Sequence, residues 1–510
     1  MSADAAPVAG EAGGAPVDRA RAAHSALWSA VENGGLALVS FGSLIVYARF
    51  LSAADFGVFS IALALIELLD VVVSMLFHDA LVQRAEVTQL HIDTAFTFTM
   101  AASVALLGLC AAAAPGFAHL VRHPQAAGIL IWTALRFPCT ALGAIIVAQQ
   151  RRELEFRVLA LRSLVGRLTG AGFGIALVLR GAGIWGLVAQ QVLIAFTGSM
   201  VLWITADRRP QLRFQMAALR PLLRFGVYAL GALFLTFAVK RLFTILAGVW
   251  LGNERAGYLN MAFRAVDVLW AIAAAAVTQV ALPVLARLRS DPDRRRRAYR
   301  AAVELTCLML YPCFVGIALL APEVVELLFG ARWHAIHPLV TALALLTIVQ
   351  APRLLTTPML TAIGRPREPL IGLAVELFVV LGLSLPALLT SELSLTAAVA
   401  VWMLRELASA PIMIRRLDRT AGIGMVEQLA GARTPLLASA VMAAVLLVIR
   451  HFLPTALGAG ARVAILLPAG AATFVAAFWA CAPQSLREVI VFFTSPAGTT
   501  GASAPMVQRQ

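Results

Sequence analysis

The sequence predicts an all-α polytopic membrane protein with about 14 transmembrane helices. Its 510 residues are 60% apolar and only 13% charged, and the mean hydropathy is +0.85. Soluble chains average roughly 45–50% apolar and about 25% charged. The apolar residues fall in blocks of about 20, long enough to cross a hydrocarbon core of ~30 Å as a helix. Helices are expected because lipid cannot satisfy free backbone amides.

Each predicted segment is one such apolar block bounded by polar loops. In chain order the segments are 26–48, 57–79, 93–114, 126–148, 160–180, 184–205, 225–248, 258–282, 302–320, 337–361, 370–390, 394–414, 435–452 and 462–481. An even number of segments places both termini on one side of the membrane. The remaining stretches are a tail at 1–24, a basic linker at 206–224, a loop at 419–434 and a tail at 484–510.

The positive charge indicates which side that is. The net charge is +14, and Lys240 is the only lysine. Arginines cluster in alternate loops, at 19–21, 84, 151–157, 208–224, 287–300, 365–367 and 415–433. Basic loops are typically cytoplasmic, so both termini are predicted to lie inside the cell. The membrane itself is predicted to be the inner membrane of a bacterium. This distribution explains the basic composition better than nucleic-acid binding does, and no nucleic-acid partner is expected.

An internal repeat divides the chain. At an offset of 200, Leu51, Gly57 and Ala62 match Leu251, Gly257 and Ala262; at 214, His123, Pro138 and Arg151 match His337, Pro352 and Arg365. The matches predict two six-helix lobes, 25–205 and 225–418, with an additional helix pair at 435–483. Parallel repeats of this kind are typical of transporters, which bind substrate between the halves. The linker 206–224 is either an amphipathic surface helix or a plain connection.

Charged residues inside the predicted helices are candidates for a polar cavity. Burying one in the bilayer costs at least ~2.5–3.5 kcal/mol, so each must face a cavity or a partner. The basic candidates, suited to a phosphate or diphosphate, are Lys240, Arg241, Arg264, Arg136 and Arg353. The coupling or cavity-lining candidates are Glu32, Asn33, Glu67, Asp70 and Asp267. The alternative is internal pairing, for example of Arg264 with Asp267, while Arg167 is read as reaching the inner surface.

Nothing in the sequence indicates an enzyme. No nucleotide-binding loop or HExxH motif is present, and the five cysteines have no metal-ligand spacing. Glu323 and Glu326 are external but lie on an apparent surface turn. No cofactor or metal is expected. Transport is expected to be coupled to a proton or sodium gradient.

Several stretches along the chain form a recognisable pattern, namely Arg49 to Gly57, Ala80 to Phe96, Gln150 to Phe156, Gly183 to Gln191, Leu212 to Gly226, Leu251 to Tyr258 and Pro283 to Tyr299. These stretches resemble the polysaccharide transport flippases. The resemblance is to the Wzx/colanic-acid-exporter type of the multidrug/oligosaccharidyl-lipid/polysaccharide superfamily and covers most of 25–420. This chain has Leu242 and Phe243 where that family often has Asn or Asp.

The resemblance implies a flippase for an undecaprenyl-diphosphate-linked oligosaccharide unit, used in exopolysaccharide, O-antigen or capsule synthesis. A polymerase and glycosyltransferases of the same pathway would be its partners. The main alternative is a multidrug or cation antiporter of the same superfamily, which would favour acidic residues. A polysaccharide polymerase or ligase would need a large external catalytic loop, whereas the predicted external loops are short.

Overall fold

A computed structural model describes residues 19–287, 292–387, 394–454 and 457–481, and it gives no side-chain detail for 19–33. Within these ranges every regular element is a helix. The helices are α1 Arg19–Phe50, α2 Ala53–Met75, α3 His78–Gln83, α4 Gln89–Val121, α5 Ala126–Ala134, α6 Arg136–Arg152, α7 Phe156–Leu179, α8 Trp185–Thr205, α9 Met216–Leu251, α10 Asn253–Arg287, α11 Pro292–Phe329, α12 His337–Gln350, α13 Thr356–Ala362, α14 Glu368–Ala387, α15 Leu395–Ala421, α16 Met425–Phe452 and α17 Ala459–Cys481.

The all-α membrane fold is confirmed. In the described part of the chain, 12 helical spans are long and apolar enough to cross a membrane. The predicted first and eighth segments fall on two further long helices, α1 with 32 residues and α10 with 35. Every predicted segment therefore coincides with a helix or with a broken pair of helices, and the count of fourteen stays a prediction.

Two spans are broken at matching positions of the repeat. The fourth span changes from α5 to α6 around Leu135, and the tenth passes through a 3-10 turn at Ala351–Arg353. Pro138 and Pro352 explain the breaks, since proline cannot donate to the carbonyl four residues earlier. The carbonyl that Pro352 leaves free, that of Ile348, accepts a hydrogen bond from the Tyr311 hydroxyl at 2.9 Å.

The two halves meet mainly through α2, which packs against α9 and α10. The terminal pair α16–α17 lies outside this interface and packs on α11 through an apolar cluster that includes Met442, Leu446 and Phe474. Glu323, predicted on a surface turn, is instead 3% exposed and lies 3.0 Å from Arg450. This ion pair connects α16 to the C-terminal part of α11.

At the predicted outer end, α2 and α10 cross at the matched glycines of the repeat. Gly57 and Gly257 face each other so closely that a Cβ on Gly57 would overlap the Asn253 carbonyl. Trp333 is fully buried beside this crossing, where it packs against Phe56 at 5.4 Å and donates a hydrogen bond to the Ala48 carbonyl at 2.8 Å. The halves are therefore in close contact on this side.

At the predicted inner end, the halves also touch. Gly226 of α9 packs directly on the Leu76 carbonyl, where α2 gives way to α3. The preceding linker contains no helix from 206 to 215, so the amphipathic-helix reading is wrong there. Asp93 explains the extended path, because its carboxylate accepts from the Gln211 backbone amide at 2.9 Å and holds the linker against α4.

Candidate functional site

A polar cavity of about 280 Å³ lies between the two halves, enclosed by α2, α6, α7 and α8 on one side and by α9 and α10 on the other. The residues that line it are Ser60, Leu63, Ala64, Glu67, Arg136, Arg167, Gln191, Ile194, Lys240, Arg241, Asn260, Phe263, Arg264 and Asp267. On α2 and on α10 the lining residues are spaced three or four apart, which places them on one face of each helix. The cavity thus brings together several of the charged residues that the sequence places inside predicted membrane helices.

The cavity is strongly cationic. Five basic side chains line it against only two carboxylates. Four of the five predicted basic residues are among them, namely Arg136, Lys240, Arg241 and Arg264. An excess of buried positive charge is unfavourable unless an anion completes it. The geometry therefore favours an anionic ligand.

Two of the cations have acidic partners in the cavity wall. Arg241 of α9 lies 2.7 Å from Glu67 of α2, which joins the two halves. Lys240 pairs with Asp267 of α10, and its ammonium lies 5.1 Å from the centre of the Phe263 ring. These side chains are between 23% and 48% exposed. The pairs are therefore accessible from the cavity.

Arg136 is positioned by contacts with Asp70 and Gln191. Asp70 is only 5% exposed and lies 3.1 Å from the guanidinium, and Arg136 also donates to Gln191 at 3.2 Å. Asp70 is not among the lining residues, so it acts on the cavity through Arg136. Asp70 was predicted to couple transport or to line the cavity; it does not line this cavity, and its coupling role stays a prediction.

Arg264 and Arg167 line the cavity and have no hydrogen-bonded or ion-paired partner among the described residues. The expected pairing of Arg264 with Asp267 is replaced by the bond between Asp267 and Lys240. Arg167 was interpreted as an interfacial residue and was missed. Its position seven residues along α7 from Ala160, which is fully buried, places it on the inward side of that helix and could have indicated it.

Arg353 lies elsewhere. It pairs with Glu406 and donates to Ser409 at 3.2 Å, inside a network of α12–α15 where Arg405 also pairs with Glu376. Two arginines and two glutamates neutralise each other in this network. The prediction that Arg353 lines the cavity was wrong. Arg353 forms an ion pair with Glu406, which lies 53 residues away, and the sequence does not show that these two residues meet.

Glu32 and Asn33 belong to α1, but their side chains lie outside the described residues, so their role stays a prediction. Phe243, at the position where the chain departs from the flippase pattern, is fully buried and packs 4.9 Å from the Trp402 ring. A polar residue there would lie in an aromatic cluster.

Comparison with known proteins identifies the family. A family model described as "Polysaccharide biosynthesis protein" matches residues 46–338, more than half of the chain. The chain belongs to this family. Among curated relatives of this family member, the succinoglycan biosynthesis transport protein ExoT of Rhizobium meliloti is 27% identical over 66% of this chain and 68% of the relative. The lipopolysaccharide biosynthesis protein WzxC of Escherichia coli is 22% identical over 65% and 68%.

The fold of this polysaccharide biosynthesis protein is shared with solved transporters. The lipid II flippase MurJ, in an inward closed conformation, matches with a TM-score of 0.74 and 14% identity over 91% of this chain and 99% of that one. An inward-facing multidrug resistance transporter of the MATE family matches with a TM-score of 0.55 and 16% identity over 79% and 94%. These likenesses show a shared fold.

Proposed function

We propose that this protein is a flippase that moves an undecaprenyl-diphosphate-linked oligosaccharide repeat unit across the bacterial inner membrane. The observation that carries the proposal is the cationic cavity between the halves, in which Arg264 and Arg167 have no partner among the described residues. Guanidinium groups form strong, charge-assisted hydrogen bonds to phosphate oxygens. A diphosphate supplies the negative charge that this cavity lacks.

The contacts at both ends of the cavity support alternating access. Gly57 and Gly257 close the predicted outer end, and Gly226 meets Leu76 at the inner end. Opening one contact while keeping the other exposes the cavity to one side at a time. The sugar and diphosphate cross through the cavity while the prenyl tail stays in lipid.

The names of the relatives support a role in polysaccharide synthesis, since ExoT and WzxC are both named for it. Under this proposal the substrate comes from membrane glycosyltransferases and is consumed by a polymerase of the same pathway. The protein works without a resident cofactor and is not an enzyme. The movement is coupled to a proton or sodium gradient.

A second candidate is drug or cation antiport, which the likeness to the MATE transporter favours. A cavity for a cationic drug needs an excess of carboxylates, whereas this one has five cations and two carboxylates. The charge of the cavity therefore argues for the flippase.

The test is flipping of a fluorescent prenyl-diphosphate oligosaccharide in proteoliposomes, under proton and sodium gradients. Arg264→Gln removes a guanidinium that has no hydrogen-bonded or ion-paired partner among the described residues, so the fold is expected to survive. One charge-assisted interaction is worth about 1.5–3 kcal/mol. We expect the apparent affinity for the lipid to fall roughly 10- to 100-fold.

The matched control is Arg297→Gln, which removes an exposed arginine at the beginning of α11, away from the cavity. It should flip the lipid as the wild type does. Equal loss in both variants, or none in either, would show that the cationic cavity is not the substrate site. An inert wild-type protein that instead exports a cationic dye would replace the flippase by the antiporter.

A further inference from the structure

A second cavity of about 180 Å³ adjoins the first within the second half, among α10, α12 and α15. The two cavities share Phe263 and Asp267 in their walls. The two cavities are therefore adjacent, with the side chains of Phe263 and Asp267 between them.

The chemistry of the second cavity differs from that of the first. Its charged residues are neutralised within the protein, because Asp267 pairs with Lys240 and Arg405 with Glu376. Two tryptophans, Trp270 and Trp402, line it. A neutral pocket with aromatic walls does not suit a phosphate.

Trp402 is rigidly held and has an unused donor. It is 7% exposed and packs against Phe263 at 5.0 Å, while the Arg405 guanidinium lies 3.5 Å from the centre of its ring. Its indole N–H has no hydrogen-bond acceptor among the described residues and is not among their fully buried unpaired atoms, so it is accessible from the cavity. An indole N–H is a hydrogen-bond donor only. It is therefore available to an acceptor on a ligand in this cavity.

The polar groups nearby accept as well as donate. The Gln350 amide nitrogen donates to Glu406 at 3.0 Å, which leaves the amide oxygen available to the cavity. The Thr347 hydroxyl donates to the Ala344 carbonyl at 2.6 Å and can still accept. Trp270 is half-buried, and its nearest ring among the described residues is Phe314 at 6.1 Å. Sugars combine hydroxyl donors with C–H faces that stack on aromatic rings.

We propose that this second cavity is a subsite for the first sugar, the one bonded to the diphosphate. The inference rests on the proposed function and deepens it, because it assigns the recognition of sugar and of diphosphate to separate groups. The cationic cavity binds the diphosphate, and Trp270, Trp402 and Gln350 select the sugar. Discrimination between glycans then depends on the second half of the protein.

The experiment compares two lipids in the same proteoliposomes. One is a fluorescent prenyl diphosphate without sugar; the other carries one sugar, chosen as the best substrate from a panel of hexoses, N-acetylhexosamines and 6-deoxyhexoses. Trp270→Leu should slow movement of the sugar-bearing lipid about tenfold, because aromatic contacts contribute about that factor. It should leave the sugar-free lipid within about twofold.

Two further variants keep the test independent of folding. Trp402→Phe keeps an aromatic ring beside Phe263 but removes the N–H donor and the smaller indole ring, so it should show the same selective loss. Trp479→Leu makes the Trp270 exchange on an exposed side chain of α17 and should change neither lipid. Arg264→Gln should slow both lipids.

The outcomes separate the two proposals. If Trp270→Leu and Trp402→Phe slow both lipids equally, or neither, or if the wild type has no preference for a sugar, the subsite is refuted while the flippase stands. If the wild type moves neither lipid, the proposed function fails and the subsite fails with it.

Discussion

At the scale of single residues, the same ionic chemistry serves two purposes. Arg353 and Glu406 are 14% and 8% exposed and belong to a neutral network inside the second half. Lys240 and Asp267 are 30% and 48% exposed and line the cavity. Water and ligand reach the second pair, so it contributes little to stability, whereas the first is a buried network whose disruption leaves an uncompensated charge.

This contrast predicts different costs for matched substitutions. Glu406→Gln leaves Arg353 unpaired and should lower the free energy of unfolding by about 3 kcal/mol or more. Asp267→Asn should lower it by less than about 1 kcal/mol. Titration of the purified protein with SDS in mixed micelles measures both. Equal costs would contradict the distinction between a structural network and a cavity wall.

At the scale of elements, the crossing of α2 and α10 is set by two glycines that the repeat places at equivalent positions. Their missing Cβ atoms let the backbones touch, as small residues do between membrane helices. Gly57 and Gly257 therefore mark the point of closest approach between α2 and α10 near the predicted outer end. Closure on that side depends on this contact.

Gly57→Val should hold the predicted outer end open. A valine side chain there overlaps the Asn253 carbonyl, so the closed state becomes less favourable. In protein that carries Asn260→Cys in the cavity and no native cysteine, a membrane-impermeant thiol reagent added outside should react severalfold faster.

The matched control is Gly108→Val on α4, where an added Cβ meets nothing within 4 Å. Its labelling rate should equal that of the protein with both glycines intact. The same rate in the Gly57→Val protein would show that this crossing does not gate the cavity.

At the scale of the whole molecule, the arginine-rich loops predict the orientation, with both termini inside the cell. A reporter enzyme that works only in the periplasm should be active when it is fused after Pro454, between α16 and α17, and inactive when it is fused after Cys481. A reporter that works only in the cytoplasm should give the opposite result at each position. The reverse pattern would invert the direction of transport proposed for the cavity.

The sequence by itself determined the membrane class and the approximate places of the long apolar helices, because hydropathy over about 20 residues is a local property. It also identified Lys240, Arg241 and Arg264 as cavity candidates, since a charged residue inside a membrane helix must face a cavity or a partner.

The tertiary structure alone decided which charges meet. Glu67 pairs with Arg241 and Arg353 with Glu406 across 174 and 53 residues of chain, and the sequence does not indicate which distant helix each charged residue faces. For the same reason Arg167 was missed and Arg353 was misplaced. Pairing between helices depends on how the two halves pack, and that packing leaves Arg264 and Arg167 in the cavity without a partner among the described residues.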